Sequence, residues 1–152
     1  MTRKPGNTPK VGTYKLVVRD MSDQTVFTKD FTFKGPKLEI MDSNLEWEAK
    51  TRATDPSIKS YCLRFKLTVN NTGDLPVFIS GGVKSYIDRS TNYRTTLING
   101  HGIEPNEIYV IEPTIPKYVV GIPRDGKNHT LTLIFEDLDK NVILTTDIKT
   151  PK

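Results

Sequence analysis

The chain has one cysteine, two histidines and no apolar run near the length of a membrane span, and each scarcity removes a class of function. Cys62 alone cannot close an intramolecular disulfide, and without a second Cys there is no redox pair and no thiolate zinc set. His101 and His129 have no second His, Cys or nearby carboxylate at metal-ligand spacing, and His101 in "NGHGIE" reads as a turn residue. G-x-S-x-G, the P-loop, G-x-G-x-x-G and H-E-x-x-H are all missing, so no local motif supports catalysis and no cofactor is implied. No stretch reaches the roughly 20 apolar residues of a spanning helix.

Helical periodicity is equally scarce. No window repeats apolar residues at i, i+3, i+4 and i+7 over three turns without Thr, Pro or Gly interrupting it. The net charge of +4 is uneven: residues 1–36 hold seven Lys/Arg against three Asp, and residues 37–152 hold fifteen of each sign. The leader bases Arg3, Lys4 and Lys10 are spaced by Pro and Gly and lack stacking aromatics beside them, which reads as a solvated tail and not a nucleic-acid arm.

What is present is alternation. In "YCLRFKLTVNNTGD", Tyr61, Leu63, Phe65, Leu67 and Val69 share one face, and Cys62, Arg64, Lys66 and Thr68 the other, so Cys62 is expected on the polar side. The strand ends in a cluster of turn formers around Gly73. Further extended segments are Leu38 to Met41, Leu45 to Ala49, Leu75 to Ser80, Val83 to Asp88, Arg94 to Ile98, Asn106 to Pro113 and Lys117 to Pro123, with prolines at corners and edges. A final pair lies in "HTLTLIFEDLDKNVILTTDIK", with Leu131, Leu133 and Phe135 inward and a last strand from Val142 to Ile148. From Lys37 onward this gives about eight to ten short strands, the pattern of an antiparallel sandwich.

Ahead of that domain, "VGTYKLVVRDMSDQTVFTKDFTF" (Val11 to Phe33) reads as a hairpin of the same design as the last one. At a shift of 116, Asp23 falls on Asp139, Val26 on Val142 and Phe27 on Ile143; one residue of slip before the turn brings Tyr14, Leu16 and Val18 onto Leu131, Leu133 and Phe135. The chain thus divides into a basic leader (1–10), an N-terminal hairpin (11–36) and an all-β, immunoglobulin-like antiparallel Greek-key sandwich (37–152). Two-stranded hairpins alone are marginal in water, so this one is expected to pack on the sandwich, on a neighbouring domain, on a partner or on a second copy. It reads as the closing hairpin of a preceding sandwich, in an ectodomain cut from a longer chain.

The succession "VNNTGDLPV", "GIEPNEIYVIEP" and "HTLTLIFEDLDKNVILTTDI" resembles the CARDB-type and related immunoglobulin-like sandwiches of prokaryotic, especially archaeal, surface proteins. The resemblance spans roughly residues 37–150. It implies an extracellular, tandemly arranged, non-catalytic adhesion or spacer module, and residues 89–122 are longer and richer in Pro than its pattern.

Candidate contacts follow from that reading. Phe27, Phe31 and Phe33 share one face of the hairpin, with Val26, Thr28 and Thr32 on the other, offering a protein partner both an edge and a face. Trp47 is expected against the core; Trp47, Tyr86, Tyr93, Tyr109 and Tyr118 are the candidate stacking platforms of a carbohydrate-binding alternative. "DLDKN" sets Asp137, Asp139 and Asn141 at alternate positions, as the first half of a Ca²⁺ loop would, without its Gly or distal Glu, and a plain turn is favoured. Sequons at Asn70 and Asn128 are candidate glycosylation sites.

Overall fold

A computed structural model describes residues 10–50, 56–90, 92–115 and 118–152; Arg3, Lys4 and Lys117 lie outside the described residues. The described residues are all-β, and none forms a helix long and apolar enough to cross a membrane. The strands are β1 (Gly12–Arg19), β2 (Thr25–Phe33), β3 (Leu38–Ala49), β4 (Ile58–Asn71), β5 (Val77–Phe78), β6 (Gly82–Ile87), β7 (Arg94–Leu97), β8 (Gly102–Ile103), β9 (Ile108–Ile111), β10 (Tyr118–Pro123), β11 (Thr130–Glu136) and β12 (Val142–Lys149).

Two sheets carry the sandwich. In one, β4 is flanked by β3 along one edge and by β10 and then β9 along the other. The second runs β12-β11-β6-β7. Alternation in β4 does what it should: Tyr61, Leu63, Phe65, Leu67 and Val69 are all buried, facing Val83, Leu131, Leu133 and Phe135 of the second sheet. The bridge between Ile98 and Pro113 and the bond from Thr114 N–H to the Leu97 carbonyl (3.0 Å) lace β7 to the segment after β9. The opposite flank, where β3 lies near β12, has no such ladder.

Three sequence expectations change here. Cys62 is buried, not on a wet face, because β4 is the central strand and Glu48 and Val119 flank Cys62 in register on both sides. The two extended pieces around Leu38 and Leu45 form one twelve-residue strand, carried through "DSN" by a bulge between Ile40 and Asp42. Leu75 to Ser80 keeps only the two residues of β5, which pair with the short β8.

The first and last hairpins agree more closely than the sequence comparison suggested. Tyr14 pairs with Phe31 as Leu131 pairs with Ile148, Val18 with Phe27 as Phe135 with Leu144, and Arg19 with Thr25 as Glu136 with Val142. Every pair is related by one constant offset of 117 positions, with a bulge at the same point in both. The shift of 116 with a slip was therefore wrong. It rested on matching Asp23 to Asp139, whereas the left-handed turn residue Asp23 (φ 63°) corresponds to Lys140 (φ 66°) and Ser22 to Asp139.

The turns repeat in their bonds as well. Asp20 accepts from Ser22 N–H (2.9 Å) and Gln24 N–H (3.0 Å), and Asp137 accepts from Asp139 N–H (2.9 Å) and Asn141 N–H (2.8 Å).

Candidate functional site

The site is the N-terminal hairpin, because it keeps the chemistry of a core face without a core. Tyr14, Leu16, Val18, Phe27, Phe31 and Phe33 occupy the same side, the positions held in the last hairpin by Leu131, Leu133, Phe135, Leu144, Ile148 and Thr150, and Lys29 stands among them where the last hairpin has Thr146. Leu133 and Phe135 are 0% exposed, whereas their counterparts Leu16 and Val18 are 46% and 42% exposed. The strands β1 and β2 pack on each other and on almost nothing else, so the expected packing of the hairpin on the following sandwich does not occur. Internal contacts stiffen the face: Tyr14 meets Phe33 edge-on at 5.6 Å, and the Lys29 ammonium lies 5.3 Å over the Phe31 ring. Val26, expected on the opposite face, is instead the unpaired residue of the bulge and is exposed.

A defined joint holds the hairpin to the sandwich. The Asp74 carboxylate accepts from Lys34 N–H (2.9 and 3.0 Å) and Gly35 N–H (2.8 Å), bonds that hold its pKa below the usual carboxylate value. Buried Asn71 accepts from Lys37 N–H (3.2 Å) and Gly73 N–H (3.0 Å) and donates to the Leu75 (2.8 Å) and Ile103 (3.1 Å) carbonyls. Gly73 has no alternative here, since a Cβ would stand 2.2 Å from the Gly35 carbonyl oxygen and 2.6 Å from Lys37 N. The "NNTGD" segment is thus both a strand reversal and the clamp for the hairpin.

A second arrangement escaped sequence reasoning. His129, immediately before β11, is bonded through Nδ1 to Asp88 and through Nε2 to Asp125 (2.9 Å). Asp125 first and Asp88 next raise the imidazole pKa; the Asp88 carboxyl is lowered by the Thr130 N–H (3.0 Å) first and by His129 next, and that of Asp125 by His129 first. When protonated, the imidazolium donates from both ring nitrogens, one to each carboxylate. It ties the end of β6 to the loop before β11. Asp88 and Arg89 both have positive φ (49° and 55°), so the carboxylate is presented from a constrained corner.

The other candidate residues are not brought together. Trp47 is half-buried, meets Tyr61 edge-on at 5.9 Å and packs against the core. Tyr118 is buried, which pushes its phenol pKa up. Tyr109 stacks on His101 at 4.9 Å and donates to the Asn99 carbonyl (2.6 Å). Tyr86 and Tyr93 are neighbours (5.5 Å) with Lys84 over Tyr93, apart from the others on the outer side of β6. An open groove of about 460 Å³ on the outer face of the β3–β4 sheet is lined by Asn44, Glu46, Arg64, Lys66, Glu112 and Pro113, and neither Trp nor Tyr reaches it.

Asp137 spends its oxygens on its own turn, accepting also from the Asn141 side-chain amide (3.2 Å), and no cluster of His, Cys, Asp or Glu among the described residues is placed to hold a metal ion. Asn70 is half-buried within β4 with its side-chain oxygen enclosed, whereas Asn128 is exposed in the loop before β11.

No family model, curated protein or solved structure matches the chain.

Proposed function

We propose that this protein is a non-catalytic interaction module that works by presenting its N-terminal hairpin to a protein partner. The observation that carries this reading is the open apolar face of β1–β2, on which Phe27 is 51% and Leu16 46% exposed. Burying a large apolar side chain stabilises by about 1.5–3 kcal/mol, so a partner covering this face would gain on the order of 10 kcal/mol before ordering costs. Among the described residues no strand pairs with either outer edge of the hairpin, and strand addition would supply directed main-chain bonds.

We infer further that the sandwich has an immunoglobulin-like Greek-key topology. Supporting it is the strand order, β12-β11-β6-β7 across from β3-β4 with β9 and β10, which parallels the G-F-C-C′ and A-B-E order of that fold. A CARDB-type role as an extracellular adhesion or spacer module is the biological setting proposed for it, resting on the turn and proline motifs described above.

The test is a Phe27→Asp/Phe31→Asp double variant. Loss of dye (ANS) binding with the thermal transition of the sandwich unchanged is the expected result. A transition lowered as far as that of a core variant would mean that the hairpin is packed on its own domain, and the reading would fail.

A further inference from the structure

The constant offset between the two hairpins says what kind of surface covers the first. Around β11–β12 two things complete the hairpin: β6 pairs with the outer edge of β11 from Leu131↔Ile87 to Phe135↔Val83, and the β4 sheet covers its face. Carried back by the offset, the outer edge of β1 from Tyr14 to Val18 lacks a β6, and the face lacks a β4.

We propose that the partner is a β-sandwich lacking its own last two strands, which β1–β2 completes as β11–β12 completes this one. The proposal rests on the interaction reading above and adds the partner's identity. Charge makes the fit specific. Lys84 of β6 bonds Glu136 of β11 at 3.1 Å, and the residue in the place of Glu136 is Arg19, whose only ion pair within the described hairpin is the exposed one with Asp23 at the turn (3.3 Å). The strand that pairs with β1 therefore carries an acid where this domain has Lys84. Size adds to it: Tyr14 and Phe31 replace Leu131 and Ile148, so the partner's core is wider away from the turn, whereas beside the turn Val18 and Phe27 replace Phe135 and Leu144, which moves the bulky ring from the first strand to the second.

A second copy does not fit these requirements. Its equivalent seat is filled by β11 and β12, and entry of β1 beside β6 would set Arg19 against Lys84. A two-fold pair of hairpins, face to face, would bring two Lys29 side chains together at the middle of a face that holds no acid.

The experiment uses the full chain as its own acceptor. Residues 130–149 are replaced by residues 13–32, with Lys84 or with Lys84→Glu, and unfolding is followed by circular dichroism. The graft is expected to unfold cooperatively, and Lys84→Glu to raise its melting temperature while lowering that of the parent chain. A second graft, restoring the last hairpin's core residues through Tyr14→Leu, Val18→Phe, Phe27→Leu and Phe31→Ile, separates misfit of the core from misfit of the hairpin.

If that second graft shows no cooperative transition, the hairpin is not a closing hairpin and the proposal is overturned. The charge assignment is overturned if Lys84→Glu lowers graft and parent alike. Sedimentation of the unmodified chain provides the last arm: a monomer is expected, and a dimer dispersed by Phe27→Asp would give the face to a second copy instead. The interaction reading fails separately, on the dye-binding test, whatever the grafts do.

Discussion

The hairpins β1–β2 and β11–β12 have the same register, the same bulge and the same aspartate-capped turn, yet one is buried and the other bare. Thr13/Thr130, Leu16/Leu133, Asp20/Asp137, Thr28/Thr145 and Asp30/Asp147 are even identical residues. The difference teaches that local sequence and hydrogen bonding suffice to specify a hairpin, whereas its burial is decided by what lies beside and beneath it. Beneath β11 stands β4; beneath β1 no strand of the described residues is packed.

The strongest way to break the comparison is to cut the same residue in both. Leu133→Ala should cost about 2–5 kcal/mol in urea unfolding, and Leu16→Ala within about 0.5 kcal/mol of nothing. Equal losses would mean that β1 is buried after all. Next in size is Gly73→Ala, whose Cβ would strike the backbone of residues 35–37. It should release the hairpin, seen as independent tumbling in ¹⁵N relaxation, and lower the melting temperature of the sandwich.

The pH dependence sharpens the contrast, because only the last hairpin has the His129 clasp, its counterpart in the first being Gly12. A raised histidine pKa stabilises fully below 6.5 and loses that contribution as pH rises through the folded value above it. The lowered Asp88 and Asp125 stabilise above 3.8 and lose their contribution as pH falls through their folded values below it. The melting temperature should therefore peak between these limits, and His129→Gln should flatten the alkaline side of that profile. Asp74, also lowered, adds to the acid loss by freeing the hairpin joint. The smallest effect is at the turns: Asp137→Ala should cost about 1 kcal/mol, and Asp20→Ala should fray only the tip of its hairpin.

Much of the fold was legible because alternation is a local signal. Leu63, Phe65 and Leu67 announced β4, and Leu131, Leu133 and Phe135 announced β11. The hairpin face of Phe27, Phe31 and Phe33 was legible for the same reason, although its exposure was not. What stayed hidden depends on pairs far apart in the chain. Asp74 reaches Lys34 across 40 positions and His129 reaches Asp88 across 41, and neither spacing resembles a motif; Asp125, only four residues before His129, is a close carboxylate that the sequence reading did not credit to it. Cys62 alternates as a surface residue, and only the two strands flanking β4 bury it. The exact hairpin offset was obscured because two aspartates in the turn invited the wrong match.

The central claim is that β1–β2 is a finished hairpin without its covering sheet. Hydrogen exchange of the free chain tests it most directly, by comparing Tyr14 to Val18 with Leu131 to Phe135. Amides of β11 should exchange only through global unfolding, and those of β1 orders of magnitude faster through local opening. Equal protection of the two strands would contradict the account.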